Sequence, residues 1–234
     1  MIPKGAVALV AGASGDIGRA IALDLLEVGA EVFMLGRSLA KLAELRPPEN
    51  SRDKCHFLVA DLTDNDVLER VHDEISSKHR LDILVLSAGS YERSHEPAVF
   101  LGQIAANLLG PYALLQRVLP LLKKAQGQVV FVNSSQALRA TGGLGQYAAT
   151  KHAMKAVADS LRDEVNPHGV RVMSLFLGRT ASERQRTIFA SEGRPYPPER
   201  LIQPGDIAEL VLSLLRLPRT AEVTDVVMRT MQKT

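Results

Sequence analysis

The stretch VALVAGASGDIG, residues 7–18, joins a run of small and branched apolar residues to a loop with glycine at positions 12, 15 and 18. The run 7–11 has the length and unbroken apolar character of a strand buried on both faces. Apolar residues then return at Ile17, Ile21, Leu25 and Val28. That spacing of three and four predicts a helix over 16–28, with Gly29 placed where a left-handed cap is wanted. Strand, glycine turn and helix in this order make a phosphate cradle. Missing Cβ atoms at Gly12, Gly15 and Gly18 allow a tight turn and a close backbone approach to a pyrophosphate. Ser14, Asp16 and Ile17 complete the loop, and free N–H groups at the helix start favour negative charge. The plain alternative is a turn that needs glycine for its shape alone.

Working outward, the same alternation recurs. Strands are expected at 31–35, 56–60, 83–86, 128–133, 170–176 and 223–228. Helices are expected at 38–45, 65–77, 97–122, 147–165 and 206–215, the third with breaks at Gly110-Pro111 and Pro120. Apolar strands separated by helices predict a Rossmann-type, doubly wound parallel sheet of about seven strands with helices on both faces. No linker or tandem repeat interrupts it, so 1–234 reads as a single α/β nucleotide-binding domain. The polar, Pro- and Arg-rich segment 178–203 carries no clear period, and 181–203 is expected to form a mobile lid over the site. Arg184, Arg186 and Arg194 within it either recognise an acidic substrate or are solvated lid charges.

Composition narrows the class. Of 234 residues, 46% are hydrophobic and 23% charged, as in globular proteins. Twenty-eight Lys and Arg against 26 Asp and Glu give a net charge of +2, too even for a nucleic-acid binder resting on phosphate neutralisation. Cys55 is the only cysteine, which excludes an intrachain disulfide and points to a reducing compartment. His79, His95, His152 and His168 have no metal-ligand spacing, so no metal is expected. Uninterrupted apolar runs such as 129–132 are far below the roughly 20 residues of a membrane span. A soluble, cytoplasmic protein without membrane or nucleic-acid partners is the expectation.

About 18 residues past Gly18 a dinucleotide fold selects its cofactor. Here stands Gly36-Arg37-Ser38, with no carboxylate to accept from a ribose 2′-OH. A guanidinium pairs with a 2′-phosphate, so NADP(H) is expected over NAD(H). The alternative makes Arg37 a solvated helix-start residue. Further on, Tyr147 and Lys151 are four residues apart at the start of a predicted helix, which puts phenol and ammonium on one face.

These residues resemble the short-chain dehydrogenase/reductase family over essentially the whole chain. The loop departs from the TGxxxGxG of single-domain members. Ala11 replaces threonine and Asp16 stands where a glycine is usual, so the spacing Gly12-x-x-Gly15-x-x-Gly18 looks more like that of extended members. A carboxylate near a pyrophosphate repels it, so the Asp16 side chain is expected to turn away and cap its helix. Asp61-Leu62 resembles the family's adenine-contacting aspartate, and Ser87-Ala88-Gly89 its NAG motif with serine for asparagine. The alternative reading makes Asp61 an ordinary helix cap. Ser134 lies 13 residues before Tyr147, at the end of a strand, as family members arrange it; Ser135 is the competing serine. Gly178-Arg179-Thr180 resembles the PGxxxT segment that contacts the nicotinamide amide, with Leu177 for proline.

The resemblance implies an oxidoreductase of small carbonyl or alcohol substrates. Tyr147 would be its general acid and base, its phenol lowered by about three units from near 10 by Lys151 and the nicotinamide. Lys151 would also hold the nicotinamide ribose, Ser134 the substrate oxygen, and Asn107 a water linking Lys151 to solvent. It also implies a homodimer or homotetramer packed through helices 97–122 and 147–165, where Ala149, Ala153 and Ala156 allow close approach. A second class keeps the fold without turnover, as an NADP(H)-binding redox sensor or scaffold. Intact Ser134, Tyr147 and Lys151 argue against it, as the short C-terminal part argues against epimerase or dehydratase chemistry.

Overall fold

The computed structural model describes residues 2–232, so the extreme ends of the expected domain lie outside it. Its strands are β1 (Val7–Ala11), β2 (Glu31–Gly36), β3 (Cys55–Val59), β4 (Ile83–Leu86), β5 (Gln128–Ser134), β6 (Arg171–Leu177) and β7 (Asp225–Met228). All pair in parallel in one sheet, in the order β3-β2-β1-β4-β5-β6-β7. Strand order reverses at β1, whose neighbours β2 and β4 lead away in opposite directions. That switch point opens a crevice above the carboxyl ends of β1 and β4, as a doubly wound sheet requires.

Side-chain alternation along each strand feeds two cores. Val7, Leu9 and Ala11 of β1 face one, Ala8 and Val10 the other. The helices are α1 (Asp16–Glu27), α2 (Leu39–Ala43), α3 (Asn65–Ser76), α4 (Pro97–Ile104), α5 (Gly110–Ala125), α6 (Gly145–Val165), α7 (Glu183–Ser191) and α8 (Pro204–Leu215). Ile21 and Leu25 of α1 join Ile207, Val211 and Leu215 of α8 on one face. Leu68 and Val71 of α3, Leu115 and Val118 of α5, and Met154 and Leu161 of α6 fill the other.

Two departures from the sequence reading matter. First, the stretch Pro97–Ala125 is one unbroken helical run, its α4 and α5 parts joined by a π-helical turn at Ala105–Leu109. Neither expected break occurs: the wider turn carries the chain past Gly110-Pro111, where proline has no N–H to give, and Pro120 sits inside α5. At 29 residues, the run is also long and apolar enough on length and composition to cross a membrane, which the short apolar runs did not suggest. Here Leu114, Leu115, Val118 and Leu122 are buried against the sheet, and Arg117 pairs with Glu69 of α3. Second, the segment read as irregular contains α7, opened by Ser182, whose hydroxyl accepts from the Gln185 N–H at 3.1 Å. Its amphipathic period is weak because Arg and Gln dominate, and only Phe189 is fully buried.

Polar groups are buried at the amino edge of the sheet. Asp82, just before β4, accepts from the Val7 N–H at 2.9 Å. Gln128 at the head of β5 donates to the Leu215 carbonyl at 3.1 Å, while its own amide oxygen accepts from Arg171 at the head of β6. Arg171 also donates to the carbonyls of Leu217, Pro218 and Ala221. This network stitches β1, β4, β5, β6 and the end of α8 together, opposite the crevice.

Candidate active site

The glycine loop is held by backbone packing. Gly12 has φ +86, and a Cβ there would lie 2.6 Å from the Ala88 nitrogen. The loops after β1 and β4 therefore touch, and this contact forms the floor of the crevice. Gly18 would place a Cβ 2.3 Å from the Gly12 oxygen, so α1 packs directly on the turn. Gly15, the N-cap of α1, offers no side-chain cap, unlike Asp64 before α3, which accepts from two N–H groups. The first N–H groups of α1 thus remain available to an anion.

Above this floor lie two adjoining clefts. One, about 850 Å³, is lined by Gly12, Ser14, Gly15, Arg37, Ser38, Lys41, Asp61 and Leu62. The other, about 500 Å³, is lined by Ile17, Ser134, Ser135, Tyr147, Lys151, Gly178 and Thr180. Ser87, Ala88, Gly89, Tyr91 and Arg184 border both, so the two form one continuous groove. Among residues singled out from the sequence for the cofactor, the chemistry or an acidic substrate, Asp16, Gly18, Asn107, Arg186 and Arg194 line neither cleft.

Asp16 does turn from the loop, but it does not cap α1. Its Oδ2 accepts from the Glu183 N–H at 3.1 Å, in the first turn of α7. The carboxylate thus serves the helix dipole of the lid rather than its own. Asp61 is not the cap of α3 either. Its Oδ1 accepts from the Thr63 N–H at 2.9 Å and the Thr63 hydroxyl at 2.8 Å. Those bonds, helped by Arg37, hold its carboxyl below the usual range.

Ser134 ends β5 and Tyr147 and Lys151 begin α6, and one link fastens the two elements. Asn133 donates from its amide to the Lys151 carbonyl at 3.2 Å. Lys151 is buried, with Nζ 5.8 Å from the Tyr147 ring centre. Burial first and the Arg184 guanidinium second push the ammonium down to about 8. Burial pushes the Tyr147 phenol up, opposed by Arg184 and by the Ser134 hydroxyl beside it. The phenol therefore lies above its ordinary value, where the family resemblance implied one lowered by Lys151. Of the two serines, Ser134 is the one beside the phenol.

Asn107, in the π-helical turn, is buried and has its side chain fully engaged. Its Oδ1 accepts from the Ser90 N–H at 2.6 Å, and its Nδ2 donates to the Ser90 carbonyl and to Thr150 Oγ1. A Cβ on Gly89 would lie 2.9 Å from Asn107 Oδ1 and 3.9 Å from Lys151 Nζ, so these three positions are close-packed. Thr180 turns inward, donating to the Gly178 carbonyl at 3.3 Å.

Sequence reasoning missed Tyr91, Arg93, Ser182 and Glu192. Tyr91 meets Tyr147 edge-on with ring centres 5.1 Å apart. Ser182 lines the smaller cleft beside Thr180. Nothing in local spacing marks Tyr91 or Arg93, which follow β4 in an irregular loop. Arg184 crosses the groove and donates to the Gly89 carbonyl at 2.6 Å. Among the described residues, no cluster of His, Cys, Asp and Glu suited to a metal occurs.

Comparison with known proteins agrees with this arrangement. The family profile described as short chain dehydrogenase matches residues 6–193. An uncharacterized short-chain type dehydrogenase/reductase of Sinorhizobium fredii is 34% identical, over 93% of this chain and 88% of its own. A β-ketoacyl-[ACP] reductase of Bacteroides thetaiotaomicron superposes with a TM-score of 0.82 at 28% identity, over 98% of both chains. An alcohol dehydrogenase of the archaeon Thermococcus sibiricus, complexed with 5-hydroxy-NADP, gives 0.83 at 25% identity, again over 98% of both. Shared over nearly its whole length, this likeness makes the chain a member of the short-chain dehydrogenase/reductase family of oxidoreductases.

Proposed function

We propose that the protein transfers hydride between NADP(H) and a small carbonyl or alcohol substrate, with Tyr147 as general acid and base. The observation that carries this reading is the meeting of Ser134, Tyr147 and Lys151 in a cleft continuous with that of the glycine loop. The uncapped start of α1 suits a pyrophosphate. Gly12, Ser14, Gly15 and Ile17 would flank it; Gly18 supports the turn from behind. When bound, the nicotinamide supplies or accepts the hydride. Everything else falls to the protein.

Tyr147 holds the proton that a substrate oxygen takes up in reduction, and a raised phenol keeps that proton bound until it is needed. Ser134 donates to the same oxygen as charge develops. Lys151, with its Nζ 5.8 Å from the Tyr147 ring centre, keeps a cation near the phenol and would bind the nicotinamide ribose. Asn107 braces Ser90 and thereby Gly89. Pro111, four residues on, has no N–H for the Asn107 carbonyl, which is where a water linking Lys151 to solvent would sit. Ser87, Ala88, Gly89, Gly178 and Thr180 line the smaller cleft and would flank the nicotinamide half. Consumption of NADPH with a panel of aldehydes, ketones and quinones tests the reading; no turnover with any of them would reject it.

Arg37, Ser38 and Lys41 line the larger cleft together with Asp61 and Leu62. Two cations there favour a 2′-phosphate, and the Thermococcus sibiricus relative was solved with an NADP derivative. NADPH should bind at least about tenfold more tightly than NADH, the equivalent of 1.4 kcal/mol. Titration of Arg37→Ala should show that preference reduced; unchanged discrimination would remove Arg37 from the site.

Residues 181–203, with α7 at their centre, serve as the lid. Assembly into a homodimer or homotetramer is supported by an apolar outer face on the long helices. Leu101, Leu109 and Tyr112 are exposed there, as are Ala149 and Ala156 of α6, so these alanines do not pack on the sheet. Light scattering at micromolar concentration should give a mass at least twice 25.4 kDa; a monomer would rule this out.

A further inference from the structure

The smaller cleft carries more arginine charge than its one carboxylate neutralises. Arg93, Arg179 and Arg184 line it, against the single carboxylate of Glu192. Glu192 is engaged by Arg93 at 3.4 Å, by Arg179 at 3.2 Å and, from outside the cleft, by Arg194 at 3.2 Å. Burial works against its charge, but Arg179 and Arg194 hold its carboxyl below the usual range, so it stays ionised and is already shared. Arg179 is fixed further by the Phe189 ring, whose centre lies 4.7 Å from its guanidinium carbon. Its Nη1 is nevertheless buried with no hydrogen-bond partner among the described residues. Glu192 takes only the Nη2 side of that guanidinium, so the Arg179 charge is shared with a carboxylate that two other arginines also use. Arg184 donates to a neutral partner, the Gly89 carbonyl, and pairs with no carboxylate among the described residues.

We infer that the substrate is an oxo acid, a carbonyl compound whose carboxylate is held by Arg93, Arg179 and Arg184 while its carbonyl meets Ser134 and Tyr147. This rests on the carbonyl-reductase reading above. Guanidinium groups pair with carboxylates through parallel, charge-assisted bonds, and the surplus of cations selects an anion over a neutral acceptor. The cofactor's phosphates are not the anion that Arg93 and Arg179 await, since neither residue lines the glycine-loop cleft. Arg184 borders both clefts, so the test must separate the two anions at that position.

The probes are acid–ester pairs with the same carbonyl: para-carboxybenzaldehyde and levulinate, each against its methyl ester. Wild type should use at least one acid with kcat/KM about tenfold or more above its ester, the scale of one charge-assisted bond. The preference should shrink as salt rises. Arg93→Gln, at the exposed rim, and Arg179→Gln should each erase it by raising KM for the acid toward that of the ester. Equal use of acid and ester in wild type, or an equal loss for both in the variants, would overturn the proposal. So would a loss confined to Arg184→Gln that matches a fall in NADPH affinity by titration, which would assign that arginine to the pyrophosphate. Calorimetric titration with levulinate reads the site without turnover. Binding that disappears in Arg93→Gln while no carbonyl is reduced would uphold the anion site and reject the reductase reading; levulinate binding unchanged in Arg93→Gln and Arg179→Gln would reject the site.

Discussion

Tyr147→Phe should lower turnover by about 10²–10⁴, the usual share of general acid catalysis, while NADPH affinity and the melting temperature stay near wild type. The substitution removes one hydroxyl at a position where Ser134, Lys151 and Arg184 already surround the ring. Undiminished turnover would end the proposed mechanism, whatever else of the family pattern held. Lys151→Met should lose both rate and cofactor affinity, because the same ammonium serves the phenol and the ribose. The pH profile separates the two groups. Burial and Arg184 bring Lys151 to about 8, whereas the phenol lies above its ordinary value. As pH rises, the ammonium is lost first, so reductive kcat/KM should fall above about pH 8. In Lys151→Met that inflection should vanish, leaving a lower plateau. Ser134→Ala should depress the rate and leave the inflection near its place.

The second large effect belongs to Gly12→Ala. At φ +86 an alanine is strained, and its Cβ would also press on the Ala88 nitrogen and Cα and the Ser87 carbonyl carbon, all within 2.8 Å. These are backbone atoms of the neighbouring loop, so relief requires the loops after β1 and β4 to separate. Left-handed strain and the clash together should cost about 3 kcal/mol or more. For a chain of this size that is about 6–12 °C in Tm, and NADPH binding should weaken at least about hundredfold. Gly15→Ala is the informative contrast. Its Cβ meets only the Gly12 oxygen, at an ordinary 3.5 Å, so the fold should persist while cofactor affinity falls. A Gly12→Ala protein with wild-type melting and wild-type NADPH affinity would contradict the packing described for the crevice floor.

Much of this was legible before any coordinates. Strands β1, β4 and β5 are nearly continuous apolar runs, and such runs between turn signals betray their burial on both faces. The pairing of Tyr147 with Lys151 was legible for a similar reason, because four residues on a helix fix a shared face. The failures share a cause in long-range contacts. The Asp16 carboxylate finds its partner at Glu183, which no local rule for helix caps can anticipate. Gly110-Pro111 reads as a break because proline removes a helical bond, yet the run continues through a π turn into α5, where Leu114 and Leu115 are buried. Helix α7 was hidden because arginine and glutamine blur its apolar period around a single anchored side chain, Phe189. Its cap, Ser182, was in plain view with Gln185 three positions on.

The buried network of Asp82, Gln128 and Arg171 has a meaning for how this scaffold tolerates change. It holds β1, β4, β5 and β6 at the end of the sheet farthest from the groove, with Arg171 anchored on five carbonyl or amide oxygens. Loops at the carboxyl edge can therefore be exchanged, lengthened or re-targeted while the hydrogen bonds that set strand register are left untouched. Protein engineers would find in the amino edge a durable chassis and in the lid an exchangeable tool. Damage to the chassis should register in melting experiments, with Arg171→Met stranding the Gln128 amide and costing about 3 kcal/mol or more. The same variant, assayed below its melting point, should bind NADPH as wild type does.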